Sequence, residues 1–342
     1  MTGGALVGTA TFALLLGSTA GDLRVSLSTT AGTYLADIAP IARVAGRETT
    51  FDYYARLIDD LEVLDAQVPQ GYTSEEWLQT ATRTSNLDIS LATQLIDRSY
   101  RPMAAVRGLG EVLVRSSRDG TMQPVAVYVP PSYVPGRAAP LIVMLHGHPQ
   151  SETQLLASPY ITALADRTGT IVVAPWGRGY YDFRRSASDV YDALHEAVHA
   201  FGTDRHKQFL VGYSMGGFSV FEVAPNYPDE WTAVMCIAGS LLGSDSERVL
   251  ARMPRTPFYI LTGSADESIP SQYPTSTAAF LSAAGLDVSF YAQRGGSHRL
   301  GSLMPILTQS WNDMLGGIVR APPPSFGKIS LPSAIPMPAL KP

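Results

Sequence analysis

The stretch KQFLVGYSMGGFSVFE, Lys207 to Glu222, is an apolar run that stops at a glycine, turns through a serine flanked by small residues, and resumes at helix-compatible spacing. The run reads as a strand and its continuation as a helix, so Ser214 sits at the tip of a sharp strand-to-helix turn. Only small neighbours tolerate such a turn, which accounts for Gly212, Gly216 and Gly217. The hydroxyl then stands at the carboxyl edge of a sheet, in front of the first N–H groups of a helix, where developing negative charge is favoured. The pattern G-x-S-x-G from Gly212 to Gly216 is short enough to arise by chance, so its surroundings must decide.

Those surroundings alternate strand and helix. GEVLVRSS and MQPVAVYVP read as an antiparallel pair joined by a turn at Asp119-Gly120. PLIVMLHG, GTIVVAPWG, KQFLVGYS, WTAVMCIAG, PFYILTGS and DVSFYAQRG are short, nearly continuous apolar runs, the texture of a mainly parallel sheet covered on both faces. Helical patterns separate them at TQLLASPYITALADRT, ASDVYDALHEAVHAF, GGFSVFEVAP, DSERVLARM, STAAFLSAAG and LMPILTQSWNDML. The alternation predicts an α/β fold with a doubly wound, mainly parallel sheet over residues 108–318. Residues 22–107 read as a mostly helical extension, a packing or homo-oligomerisation unit. Residues 1–21 carry no charge and are read as either a cleavable leader or a buried apolar segment. No Lys or Arg precedes the apolar core, which counts against a leader, and scattered Gly and Thr count against a membrane span. A secreted or periplasmic location and a cytoplasmic one both stay open. Residues 319–342 are proline-rich and read as an extended tail.

Composition excludes several classes. With a net charge of −5 and lysine only at Lys207, Lys328 and Lys341, the chain offers no electrostatic reason to expect a nucleic-acid partner. The single cysteine, Cys236, rules out an internal disulfide and a thiolate metal cluster.

A serine hydroxyl is a weak nucleophile until a base takes its proton. His298, in QRGGSHRL, follows the last strand-like run and so falls on a loop at the same sheet edge as Ser214. His195 and His199 are one helical turn apart and read as an ordinary helix face, and His206 as a surface residue. An orienting carboxylate comes from GSADESIP: Asp266 follows a strand on the shared edge, with Glu267 the next candidate. Asp287 precedes its strand and belongs at the opposite edge. An oxyanion site needs backbone N–H donors, one from the residue after the nucleophile and one from the loop after an earlier strand. Met215 and His148 are assigned these roles, with Gly147 permitting close approach and His146 holding the loop; His148 as the base is the competing assignment. Trp176, Tyr180 and Tyr181, with Arg178, follow a strand at the active edge and either line a substrate pocket or pack the loop. Only residues 240–256 lie between MCIAG and PFYIL, too few for a large helical lid.

Together VMLHGHPQ, VVAPWGRG, DRHKQFLVGYSMGGFSV, GSADESIP and GGSHRLG resemble the α/β-hydrolase superfamily, in particular its branch of esterase-D-like and feruloyl esterases, polyhydroxybutyrate depolymerases and prolyl-oligopeptidase-like peptidases. The resemblance covers Gly108 to Gly316. It implies that Ser214, Asp266 and His298, in that chain order, form a catalytic triad, and that Asp189 occupies a family position near a helix start. It also implies a serine hydrolase of small or polymeric carboxylic esters, needing no metal or cofactor. A peptidase using the same triad and a catalytically silent binding module are the alternatives; the latter would be expected to have lost a triad member.

Overall fold

The computed structural model describes residues 74–97, 99–179, 183–320 and 330–335. Its centre is an eight-stranded sheet in the order β1-β2-β4-β3-β5-β6-β7-β8. The strands are β1 (Gly108–Arg115), β2 (Met122–Val129), β3 (Leu141–Leu145), β4 (Ile171–Pro175), β5 (Gln208–Tyr213), β6 (Ala233–Ile237), β7 (Phe258–Gly263) and β8 (Val288–Gln293). β1 pairs antiparallel with β2, and β2 with β4; every later pairing is parallel. Every residue of β3, β4, β6 and β7 is buried, so their unbroken apolar runs follow from being covered on both faces.

Side chains alternate between two cores. Leu141, Val143 and Leu145 of β3 join Leu210, Cys236 and Ile260 on one face, where α4 (Ala187–Phe201), α5 (Met215–Val223), α6 (Ser246–Arg252) and α7 (Gln272–Ala283) pack. Ile142 and Met144 point the other way, with Val211, Ile237 and Leu261, toward α2 (Glu152–Ala157), α3 (Pro159–Thr168) and α8 (Met304–Leu315). Cys236 is fully enclosed, and burial pushes its thiol far above the ordinary range.

Two helices differ from their sequence patterns. TQLLASPYITALADRT forms two helices instead of one, because the ring of Pro159 drives Ser158 into an extended conformation (φ −62°, ψ 133°) while itself suiting the first position of α3. α7 begins at Gln272, ahead of STAAFLSAAG, because Pro274 falls in the first turn, where its missing N–H costs no intrahelical bond. The helix α1 (Ser74–Asp97) buries Ala81, Leu87 and Leu91, and Gln94 donates from its amide to the Glu111 carbonyl of β1 at 3.3 Å. Arg83 donates to the last carbonyl of α2 at 3.2 Å. A cleft of about 450 Å³ lies beside α1, lined by Arg83, Arg101, Tyr128 and Asp166, at the edge of the sheet remote from β5. The other readings on residues 1–73, the leader or apolar segment and the earlier helical pattern, lie outside the described residues.

A buried ionic network fixes the loop after β4. Arg178, itself at positive φ (63°), reaches Asp119 in the β1–β2 turn at 2.5 Å and Asp189 in the first turn of α4 at 2.6 Å, and Ser116 donates to Asp189 at 2.5 Å. The Arg178 hydrogen bond holds the Asp119 carboxyl well below the usual carboxylate range, with Thr121 adding to the effect against a smaller opposing cost of burial. A depressed folded-state pKa gives stability that is complete above the unfolded value, about pH 4, and is lost as pH falls below it. Asp119 keeps 27% of its side-chain exposure, so solvent screening limits its contribution to about 1–2 kcal/mol. In thermal denaturation, Asp119→Asn is therefore expected to melt below wild type at pH 7, with the gap narrowing steadily from pH 4 to pH 3. A gap independent of pH would refute this account.

Candidate active site

The chain runs from β3 outward to β4, then returns to the other side of β3 as β5, so the sheet reverses its winding between β3 and β5. In open α/β sheets, ligands bind outside the carboxyl ends of the strands at such a reversal. Ser214 directly follows β5 there, with φ 54° and ψ −116°, a strained conformation for a residue with a side chain. The strain is held by close backbone approach on each side. A Cβ on Gly212 would lie 2.0 Å from the Gly216 carbonyl oxygen, and one on Gly216 would lie 2.2 Å from that of Leu145. The Ser214 N–H donates to Ile237 of β6 at 2.9 Å, and the Gly216 N–H to His146 at 3.1 Å.

The loops after β7 and β8 converge on this hydroxyl. The Ala265 N–H donates to the Gly296 carbonyl at 2.9 Å, which joins the two loops. His298 Nε2 lies 2.8 Å from Ser214 Oγ, while its Nδ1 lies 2.9 and 3.0 Å from the two oxygens of Asp266. The Asp266 side chain is 0% exposed and His298 18%. Ser268 and Ile269 donate backbone N–H groups to Asp266 Oδ1 at 2.9 and 2.7 Å, so each oxygen of this buried carboxylate faces at least one donor. With the Nδ1 proton on the carboxylate side, Nε2 is left as an acceptor facing the serine O–H.

Two further contacts hold His298, and neither has a signature in the sequence. Tyr213 donates from its phenol to the His298 carbonyl at 2.7 Å and stacks against the imidazole with centroids 5.5 Å apart. Glu267 accepts the His298 backbone N–H at 3.2 Å through Oε2, so it braces the loop from the backbone side.

Met215 is the first residue of α5, and its N–H has no intrahelical acceptor. A Cβ on Gly147 would stand 3.1 Å from that of Ser214, so the loop carrying His148 passes close beside the serine. His146 lies with Nε2 2.8 Å from the Trp176 carbonyl and Nδ1 2.9 Å from that of its neighbour Gly147; in the tautomer protonated at Nε2 it donates to Trp176 and thereby links the loops after β3 and β4. Trp176 is buried against Val114, Gln123 and Val125 of the antiparallel pair. Arg178 faces Asp119 and Asp189, so it is engaged within the fold and does not line a cleft; Asp189 does more than face a helix dipole, because it anchors that pair. Tyr180 and Tyr181 lie outside the described residues. His195 lies on the surface, 3.4 Å from Glu230 and with its ring tilted toward Tyr191, and Asp287 is exposed at the opposite edge of the sheet. Among the described residues no cluster of three or more His, Cys, Asp or Glu side chains could hold a metal ion, and no helix is long and apolar enough to cross a membrane.

A family model described as the alpha/beta hydrolase family matches residues 142–337. No curated protein sequence matches the chain. Among solved structures, a thermostable esterase superposes with a TM-score of 0.52 at 18% identity, over 62% of this chain and 63% of its own length. A ferulic acid esterase of the anaerobic fungus Anaeromyces mucronatus gives 0.50 at 17% identity over 60% of this chain and 89% of that one. A second ferulic acid esterase gives 0.52 at 15% identity, over 61% and 97%. At these identities the likeness is one of fold.

Proposed function

The chain belongs to the alpha/beta hydrolase family, and from that premise we propose that it is a serine hydrolase of carboxylic esters, within the esterase-D-like and feruloyl-esterase branch, with residues 108–318 as its catalytic domain. The observation that carries the reading is the continuous relay from Asp266 through His298 to Ser214, closed at 2.9 and 2.8 Å. Ser214 Oγ attacks the ester carbonyl carbon as its proton passes to His298 Nε2, and the Asp266 carboxylate stabilises the imidazolium that results. The tetrahedral oxyanion accepts hydrogen bonds from the Met215 and His148 N–H groups. This assignment is supported by the open first turn of α5 and the close pass of Gly147. Collapse of the intermediate transfers the proton from His298 to the departing alkoxide, which leaves as the alcohol. Water, deprotonated by the same imidazole, then releases the acyl group as a carboxylic acid and restores the serine. Tyr180 and Tyr181 complete the proposal as the wall of the acyl or alcohol pocket, with the buried Trp176 backing the loop that carries them.

Diethyl p-nitrophenyl phosphate tests this chemistry directly. The expected result is release of one p-nitrophenolate per chain, a diethylphosphoryl adduct on the peptide containing Ser214, and parallel loss of p-nitrophenyl butyrate hydrolysis. Continued hydrolysis by a fully phosphorylated chain, or an adduct on another residue, would refute the assignment. Turnover of peptide anilides without ester turnover would move the substrate class to amides.

A further inference from the structure

We propose that the tail segment Leu331–Ile335 is a strap that closes the far end of the acyl site and restricts the length of acyl chain it accepts, an inference that rests on the serine-hydrolase reading. The segment returns to the carboxyl edge of the sheet. Pro332 is buried, and its carbonyl accepts the N–H of Gly243, in the loop after β6, at 3.0 Å. Leu331 packs on the core beneath, and Ile335 packs on a separate apolar cluster of Phe218, Leu242 and Ile269, bordered by Tyr273.

The position of that cluster gives the strap its consequence. Phe218 lies one turn past the nucleophile, and its N–H donates to the Ser214 carbonyl at 3.2 Å. The Ile269 N–H donates at 2.7 Å to the same Asp266 oxygen that faces His298 at 3.0 Å. Leu242 stands in the loop after β6 and joins the same cluster. Phe218, Leu242 and Ile269 retain only 1%, 8% and 3% of their exposure with the tail in place. An acyl chain extending from Ser214 across the β6 and β7 loops therefore meets Ile335 where it would otherwise meet apolar surface. The connection from β6 to β7 holds only the short turn Gly243–Asp245 and α6, so this role does not fall to an inserted lid.

The test compares the full chain, a chain ending at Arg320, and full-length Ile335→Glu, whose carboxylate cannot remain on an apolar cluster without cost. Active serines are titrated with diethyl p-nitrophenyl phosphate, and kcat/KM is measured on p-nitrophenyl acetate and octanoate. Exposing the cluster is expected to raise the octanoate-to-acetate ratio on the order of tenfold, as for about two methylene groups newly buried. Hydrogen exchange at the Gly243 amide reports release of the strap independently of activity. Faster Gly243 exchange with an unchanged ratio overturns the proposal, and so does Gly243 exchange in the full chain as fast as in the truncated one. Should the truncated chain not fold, Ile335→Glu alone decides. Absence of ester turnover and of titratable serine in all three chains would instead refute the serine-hydrolase reading.

Discussion

Ser214→Ala is expected to lower kcat/KM for p-nitrophenyl butyrate on the order of 10⁵-fold, because removal of a nucleophile from a group that acts as a unit costs nearly the whole of its catalysis. What remains should be the contribution of the oxyanion site and of binding. The loss should leave the fold intact. The Oγ bonds to His298, and the positions of Asp266 and His298 are set by other contacts: the Ser268 and Ile269 amides, the Tyr213 phenol and Glu267. The melting temperature should therefore change by no more than about 2 °C, less than 1 kcal/mol for a domain of this size. Turnover of Ser214→Ala within a factor of ten of wild type, measured on protein free of trace esterase, would refute the mechanism.

Gly216→Ala acts on the fold itself. Its Cβ would stand 2.2 Å from the Leu145 carbonyl oxygen and 2.6 Å from the carbonyl carbon, both backbone atoms of a central strand. No side-chain rotation relieves that overlap, so either β3 or the start of α5 must shift. A forced shift in a close-packed interior costs about 3 kcal/mol or more. At roughly 2–4 °C per kcal/mol, the melting temperature should fall by about 10 °C. A shift of α5 would also break the Gly216–His146 bond and move Met215, so activity should fall even where the protein stays folded. A variant that melts with wild type would show that the elbow can relax around a methyl group.

Much of this architecture is legible in the chain because the signals are local. Each parallel strand is a short apolar run, since burial on both faces leaves no polar side to interrupt it. Ser214, Asp266 and His298 each closely follow such a run, so a parallel sheet delivers all three to one edge, and the structure brings them within hydrogen-bonding reach. What escaped reading depends on distant partners. Arg178 looks like a residue free to meet a ligand until Asp119 is seen to arrive from the β1–β2 turn. Tyr213 carries no mark of its bond to the His298 carbonyl, because backbone acceptors have no sequence signature. The tail has proline without periodicity, which predicts an extended chain but not its return to Gly243. The break at Pro159 was local, yet the apolar spacing on either side concealed it.

The enclosure of Cys236 has a practical side. It is the only sulfhydryl in the chain, and it lies within the central strand β6 with its side chain enclosed in the core on one face of the sheet. Thiols buried in apolar surroundings stay protonated and inert toward alkylating reagents. The native protein is thus a blank background for site-directed spectroscopy: a cysteine introduced on the surface would be the sole attachment point for a maleimide dye or spin label, with no need to remove the natural one.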